Sequence, residues 1–375
     1  MAYLLVQQNQ EQMVQLPFGK KYESIQKSNH IYSGIGGVYH MSKLLKKWGI
    51  VILIAFVVIG FFTIKTYGVV EQITSDMLQD PNSDKNKQDI ARIVLNDTGR
   101  DTAFSPDEAV EIKVYQGDLL GNGQQQAVIA VSFGLKNTVL AVYTNDKNTG
   151  NYTYVDDVGD FFDVRDVLFL PSNTPGTNIM IVREYANQNI GAYERSSFLK
   201  GYVWDDKNQM FHNVLSVPEG IEVTWNGSWD TSGEERWQKI EERSEFVFNE
   251  NYENDPTLKF TQYQAYKISE STDKDNIPDE STFHTAKNRV INQTYYWSDD
   301  WSRFILSEKK DKATGEKVAV IEDFSASPYV LVEEYKNMAN NVTIQRPNGT
   351  IEIVPSNTLW ELDGTEAKST FFAYE

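Results

Sequence analysis

The sequence predicts an all-β ectodomain carried behind a single N-terminal transmembrane helix. Three observations lead there. Trp48 to Ile64 is an uncharged, mostly apolar run between Lys47 and Lys65. From Val110 onward, short β-branched and aromatic runs alternate with Gly, Asn, Asp and Pro, the punctuation of antiparallel strands. Within that region a four-strand order occurs twice.

The apolar run of 17 residues would extend about 25 Å as a helix, the short end of what crosses a bilayer. Lys43, Lys46 and Lys47 precede it. The positive-inside rule therefore keeps that end cytoplasmic and exports the chain beyond Lys65. A cleaved signal peptide is the competing reading. The stretch Phe61-Phe62-Thr63-Ile64-Lys65-Thr66-Tyr67-Gly68 lacks the small-residue pattern that cleavage needs, which favours an uncleaved signal anchor over residues 41–70. Met41-Ser-Lys-Leu-Leu-Lys-Lys-Trp has the form of an export-signal start. Residues 1–40 read either as an over-annotated leader or as a cytoplasmic tail.

Charge and composition narrow the function. Residues 1–70 carry a net +5 of a chain total of −18, so the remainder carries −23. A body that acidic is a poor partner for nucleic acid. The chain has no cysteine, which excludes disulfide scaffolds, thiolate metal sites and thiol catalysis. It has four histidines, little material for a multi-His metal site or a His-based triad. Export without disulfides fits a Gram-positive cell surface, with the membrane as one partner and the C-terminal part extracellular.

Residues 71–109 read as a helical stalk and linker: Val69 to Leu78 continues the anchor helix, Asp80-Pro81-Asn82-Ser83-Asp84 breaks it, and Lys87 to Leu95 forms a second piece. Residues 110–255 hold the repeated order. Its first copy has strands at Ile112–Tyr115, Ala127–Phe133, Thr138–Tyr143 and Tyr152–Val155. The second has them at Val164–Leu170, Asn178–Tyr185, Phe198–Trp204 and Met210–Val214. Turns containing Asp-Lys-Asn, Asp146-Lys147-Asn148 and Asp206-Lys207-Asn208, occupy the same place in both. Repeated four-strand units suggest propeller blades, which bury their faces on their neighbours. Glu234 to Arg243 is a charged run with helical pairing and reads as a solvated helix. Asn254-Asp255-Pro256 marks the boundary to a C-terminal β region, 256–375. Its strands are expected at Phe260–Ile268, Tyr295–Leu306, Lys317–Asp323, Tyr329–Tyr335, Val342–Arg346 and Thr350–Val354, with a hairpin turn at Pro347-Asn348-Gly349.

The loop Gly117-Asp118-Leu119-Leu120-Gly121-Asn122-Gly123, followed by Ala127-Val128-Ile129-Ala130-Val131, resembles the FG-GAP/VCBS repeats of integrin α-like β-propellers, over roughly residues 110–220. The resemblance implies calcium-binding loops and a ligand-binding or adhesive surface. This loop departs from the family pattern. Asp118 and Asn122 can ligate, but Leu120 cannot, and Gln126 stands where a carboxylate is usual. The loop therefore reads first as a turn, with Gly121 and Gly123 permitting positive φ. A denser oxygen cluster, Asp273, Asp275, Asp279 and Glu280, is the second candidate for calcium, against the plainer reading of a solvated acidic loop.

Two aromatic groups, Trp225 with Trp229 and Tyr295 with Trp297 and Trp301, have the even spacing that puts rings on one face of a strand. They are candidate platforms for a sugar, against the plainer reading of core packing. No nucleophile elbow, zinc-protease helix or phosphate loop occurs. The expected function is therefore non-catalytic binding of a cell-wall glycan or a surface protein. Two alternatives stay open: a carboxylate-based glycan hydrolase and a structural subunit of a membrane assembly.

Overall fold

A computed structural model describes residues 72–375, apart from 101–109, 134–136, 172–177, 190–191, 230–234, 250–255, 363–371 and 375. The expected anchor and the residues before it lie outside the described residues. No helix among the described residues is long and apolar enough to cross a membrane. The described part is mostly antiparallel β-sheet, in three sheets.

The first sheet holds β1 (Ile73–Thr74), β2 (Val110–Gly117), β3 (Gln126–Phe133), β4 (Asn137–Asp146) and β5 (Asn151–Phe161), in the order β1-β5-β4-β3-β2. Two helices, α1 (Ser75–Gln79) and α2 (Asp84–Asp97), lie between β1 and β2 in the chain. The first four-strand unit read from sequence is β2 to β5. All eight residues of β3 are buried, because both of its faces are covered. Ala127, Ile129 and Val131 pack with Ile90, Ile93 and Val94 of α2. Val128 and Ala130 pack against the second sheet. Within the segment expected as a stalk, α2 is thus part of the core: an apolar helix face gains about 1.5 to 3 kcal/mol per large side chain when a sheet covers it.

The second sheet is one continuous meander: β6 (Asp163–Pro171), β7 (Asn178–Asn189), β8 (Tyr193–Asp205), β9 (Met210–Asn226), β10 (Trp237–Asn249), β11 (Thr257–Ser269), β12 (His284–Ser298) and β13 (Arg303–Ile305). Its second four-strand unit, β6 to β9, does not close as a separate blade but pairs onward into β10. Asn254 and Asp255 of the expected break lie outside the described residues, and β10 and β11 on either side pair from Trp237↔Ser269 to Asn249↔Thr257. The described part of the run Glu234 to Arg243 is not helical. From Trp237 it is β10, and its charges find partners on both neighbouring strands. Register shifts at Ser197/Phe198 and Gly201/Tyr202 bend β8 and β9. The two arms of the meander then share one core, in which Ile181, Leu199 and Val217 join Leu258, Phe260 and Trp297.

The third sheet is β14 (Ser307–Asp311), β15 (Lys317–Asp323), β16 (Asn341–Gln345), β17 (Ile351–Pro355) and β18 (Leu359–Glu361), ordered β17-β16-β15-β14-β18. Val318, Val320, Val342 and Ile344 dock it onto the same core. A last strand, β19 (Phe372–Tyr374), pairs with β12. The stretch expected as a strand at Tyr329–Tyr335 is instead a set of 3-10 turns, Phe324–Ala326, Pro328–Leu331 and Glu333–Asn340. Pro328 starts the middle turn, where its fixed φ suits a helical entry and its missing N–H costs nothing. The expected strand Tyr295–Leu306 is likewise split, by a turn at Asp299 to Ser302 between β12 and β13.

Candidate functional site

A cleft of about 800 Å³ crosses β7 to β12 near the middle of the meander. Adjacent rows of the sheet line it. One row runs Ser197↔Gly220↔Arg243↔Tyr263, and another Arg195↔Glu222↔Glu241↔Ala265. Tyr263 is 44% exposed, and Arg195 and Arg243 are open to solvent. The row between them, Ser196↔Ile221↔Glu242↔Gln264↔Arg289, has side chains that alternate to the opposite face. There the 3-10 segment covers them: Gln264 Nε2 donates to Ala326 O and Arg289 Nη2 donates to Ser327 O, at 2.6 and 2.7 Å.

At one end of the cleft, Glu222 and Glu241 of its wall belong to a cluster of five charges. Lys239 stands directly opposite Lys267, and Glu222 directly opposite Glu241. Like charges facing each other across a ladder destabilise it. Here the diagonals reverse the sign. Lys239 Nζ lies 2.8 Å from Glu241, 3.3 Å from Glu222 and 2.7 Å from Glu280. Lys267 Nζ lies 2.6 Å from Glu241 and 3.1 Å from Glu280. Burial pulls the Lys239 ammonium down, but the bonds from Glu241 and Glu280 outweigh it and hold the group above the ordinary lysine range. Glu280 is held below the ordinary carboxylate range, chiefly by Lys239.

On the covered face, Glu242 is 5% exposed. It accepts from Gln264 Nε2 at 2.5 Å and from Gln262 Nε2 at 3.2 Å. Gln264 Oε1 in turn accepts from Arg289 Nε at 2.7 Å, so one amide relays between carboxylate and guanidinium. Burial raises the Glu242 carboxyl to about 7, with Gln264 and Gln262 pulling it back.

The residues expected as sites are scattered. Tyr295 and Trp297 are buried core residues, in edge-on contact with Phe260 and Phe304 respectively. Trp301 is 7% exposed and donates from Nε1 to Glu308. Trp225 is half-buried on β9, whereas Trp229 lies beyond the strand in a 3-10 turn, 44% exposed and edge-on to the fully buried Trp237. Only Trp229 of these rings is largely open. The register of β9 to β11 brings together Glu222, Lys239, Glu241 and Tyr263, none of which sequence reasoning singled out as a site residue. The usable signal was the aromatic bracket on β10, Trp237 before the charges and Phe246 and Phe248 after them.

The acidic loops are occupied by their own chain. Asp118 accepts from the Asn122 and Gly123 amides at 3.2 and 2.8 Å, and Gln126 Oε1 accepts from the Leu119 amide at 2.6 Å. Gly121 and Gly123 have φ of +61° and +75°, as the turn reading expects. Asp273 accepts from the Asp275 and Asn276 amides at 2.9 and 3.2 Å, while its carbonyl accepts from Trp237 Nε1 at 2.5 Å. Glu280 belongs to the lysines. No group of three or more His, Asp or Glu side chains among the described residues is placed to hold a metal ion. The loop residues therefore fit a pair of Asx-type turns better than a calcium ion, which wants six to eight oxygens.

No protein-family model matches the chain, and no curated protein matches it in sequence.

Proposed function

We propose that this chain is a membrane-anchored extracellular bacterial surface protein whose β body binds a cell-wall glycan in the β7–β12 cleft without cleaving it. On this reading β2 to β5 are a blade-like unit of FG-GAP/VCBS type, and the longer meander supplies the binding surface. The cleft pairs an exposed ring, Tyr263, with charged and amide side chains that can bond hydroxyl groups. Ring faces stack on sugars and polar neighbours fix their orientation.

The observation that carries the non-catalytic reading is Lys239. A glycan hydrolase needs two carboxyl groups in the cleft, one of them protonated. Glu222 and Glu241 are the facing pair, and one ammonium contacts both, at 3.3 and 2.8 Å. Ion-paired to one ammonium, the two carboxylates are engaged as salt-bridge partners rather than held apart as an acid and a base. The buried Glu242, raised by burial to about 7, also borders the cleft, but it is 5% exposed and its carboxylate is held by Gln264 and Gln262.

The test is calorimetric titration of the full-length protein with soluble cell-wall oligosaccharides, followed by chromatography for cleaved products. Saturable binding that Tyr263→Ala weakens at least tenfold (about 1.4 kcal/mol), with the sugar recovered intact, is expected. Shortened oligosaccharides, lost in Glu241→Gln, would replace the binding reading with hydrolysis. No binding at all would remove the glycan.

A further inference from the structure

A second pocket, of about 530 Å³, lies where β13 meets the third sheet. His212 of β9, Asp300, Trp301, Arg303, Lys317 and Gln345 contribute to its wall. Arg303 is its unusual member. The residue is 9% exposed, and Nη1 donates to the neutral Gln345 Oε1 at 2.9 Å. Its Nε is buried with no hydrogen-bond partner, and no carboxylate among the described residues reaches the guanidinium. The nearby acids are engaged elsewhere. Asp300 and Glu308 both pair with Lys317, at 3.0 and 2.8 Å, and Glu308 also accepts from Trp301.

A buried charge without a counter-ion is costly, and burial alone draws the Arg303 guanidinium down to about 10. Lys317 already has two acids of its own, whereas the Arg303 guanidinium has no carboxylate at contact distance among the described residues. The geometry points to a carboxylate as its ligand: we infer that this pocket binds a carboxylate group through the Arg303 fork. A guanidinium presents paired N–H donors that match the two oxygens of a carboxylate. The pocket volume falls in the range of small-ligand sites, so it can enclose what the carboxylate is attached to. Trp301, expected from sequence as a sugar platform, supplies part of the wall instead. The inference is independent of the glycan cleft, which shares no residue with this pocket.

The test is thermal melting of the full-length protein at constant ionic strength, balanced with chloride. Succinate, a short peptide with a free C-terminal carboxylate, its amidated twin, and inorganic phosphate are the probes. Succinate or the free-acid peptide should raise the melting temperature by about 2 to 4 °C at saturation. A response to succinate assigns the source to a small acid; a response to the free-acid peptide alone assigns it to a protein terminus. Arg303→Met should abolish the shift, and Arg303→Lys, which keeps charge but loses the fork, should retain less than half. In chloride alone Arg303→Met should melt no lower than the parent, which separates lost binding from lost folding. Equal behaviour of the carboxylates and chloride, a larger response to phosphate, or a shift that survives Arg303→Met would each overturn the inference.

Discussion

Lys239 and Arg303 are two cations on the same meander, 5% and 9% exposed, with opposite surroundings. Three glutamates touch Lys239, whereas Arg303 has one neutral amide. Both lose hydration by burial. The Lys239 ammonium nevertheless rises above its ordinary range, while the Arg303 guanidinium falls to about 10. Burial sets the size of the problem and the partners set its sign. The contrast separates a closed ionic network, which fixes strand pairing at one end of the cleft, from an open valence, which suits a ligand.

The largest expected effect is on stability, and it is confined to one of the two sites. Lys239→Met leaves Glu222 and Glu241 facing each other with Lys267 alone beside them. Breaking a fully buried ion pair costs about 3 to 5 kcal/mol. Glu222 and Glu280 keep side-chain exposures of 41% and 62%, so water softens the loss to about 2 to 3 kcal/mol. Urea denaturation of Lys239→Met and Arg303→Met side by side checks this. A loss for the lysine variant and none for the arginine variant upholds the contrast; equal losses would break it.

A buried anion extends the comparison. Glu242 has amide donors at hydrogen-bond distance, and burial still raises its carboxyl from 4.5 to about 7. Between those values the folded protein retains a proton that the unfolded chain has released. The group's contribution to stability is therefore intact below about pH 4.5 and declines as pH rises to about 7. The loss amounts to about 3 kcal/mol at most. Glu242→Gln, which keeps an acceptor for Gln264, should flatten that slope and leave the protein more stable than the parent at pH 8. Melting temperatures from pH 4 to 8 give the readout, and an unchanged slope would show that Glu242 titrates normally.

These charged sites mark where sequence reasoning reached its limit. Strands with one apolar face were legible. The expected Lys317–Asp323 strand is β15 with the same ends, and Val342–Arg346 differs from β16 by one residue at each end. The loop at Asp118 was legible as a turn because glycine and aspartate chemistry is local. Lys239 was not. On β10 both faces carry polar groups, Lys239 and Glu241 on one and Gln238 and Glu242 on the other, so the apolar alternation that signals a strand is missing. Partners lie on β9, β11 and the loop after β11, and only the register of the meander assembles them. Tyr329–Tyr335 failed for a related reason. A short apolar run looks alike as a buried strand or a buried turn, and here it serves as the lid over Glu242.

The smallest expected effect concerns Glu280, expected from sequence as part of a calcium cluster. In the fold its carboxylate lies 2.7 Å from Lys239 and 3.1 Å from Lys267. With 62% of that side chain exposed, Glu280→Gln should cost only about 0.5 to 1 kcal/mol. The cost should be the same in EGTA and in millimolar calcium, because Asp273 is already engaged by the amides of its own loop. A calcium-dependent rise in the parent's melting temperature, lost in Glu280→Gln, would mean that the carboxylate leaves the lysines for a cation. Lys239 would then be only partly neutralised, and its surroundings would come to resemble those of Arg303. A calcium-independent and small effect keeps the two cations distinct, one closed by its own chain and one open to a ligand.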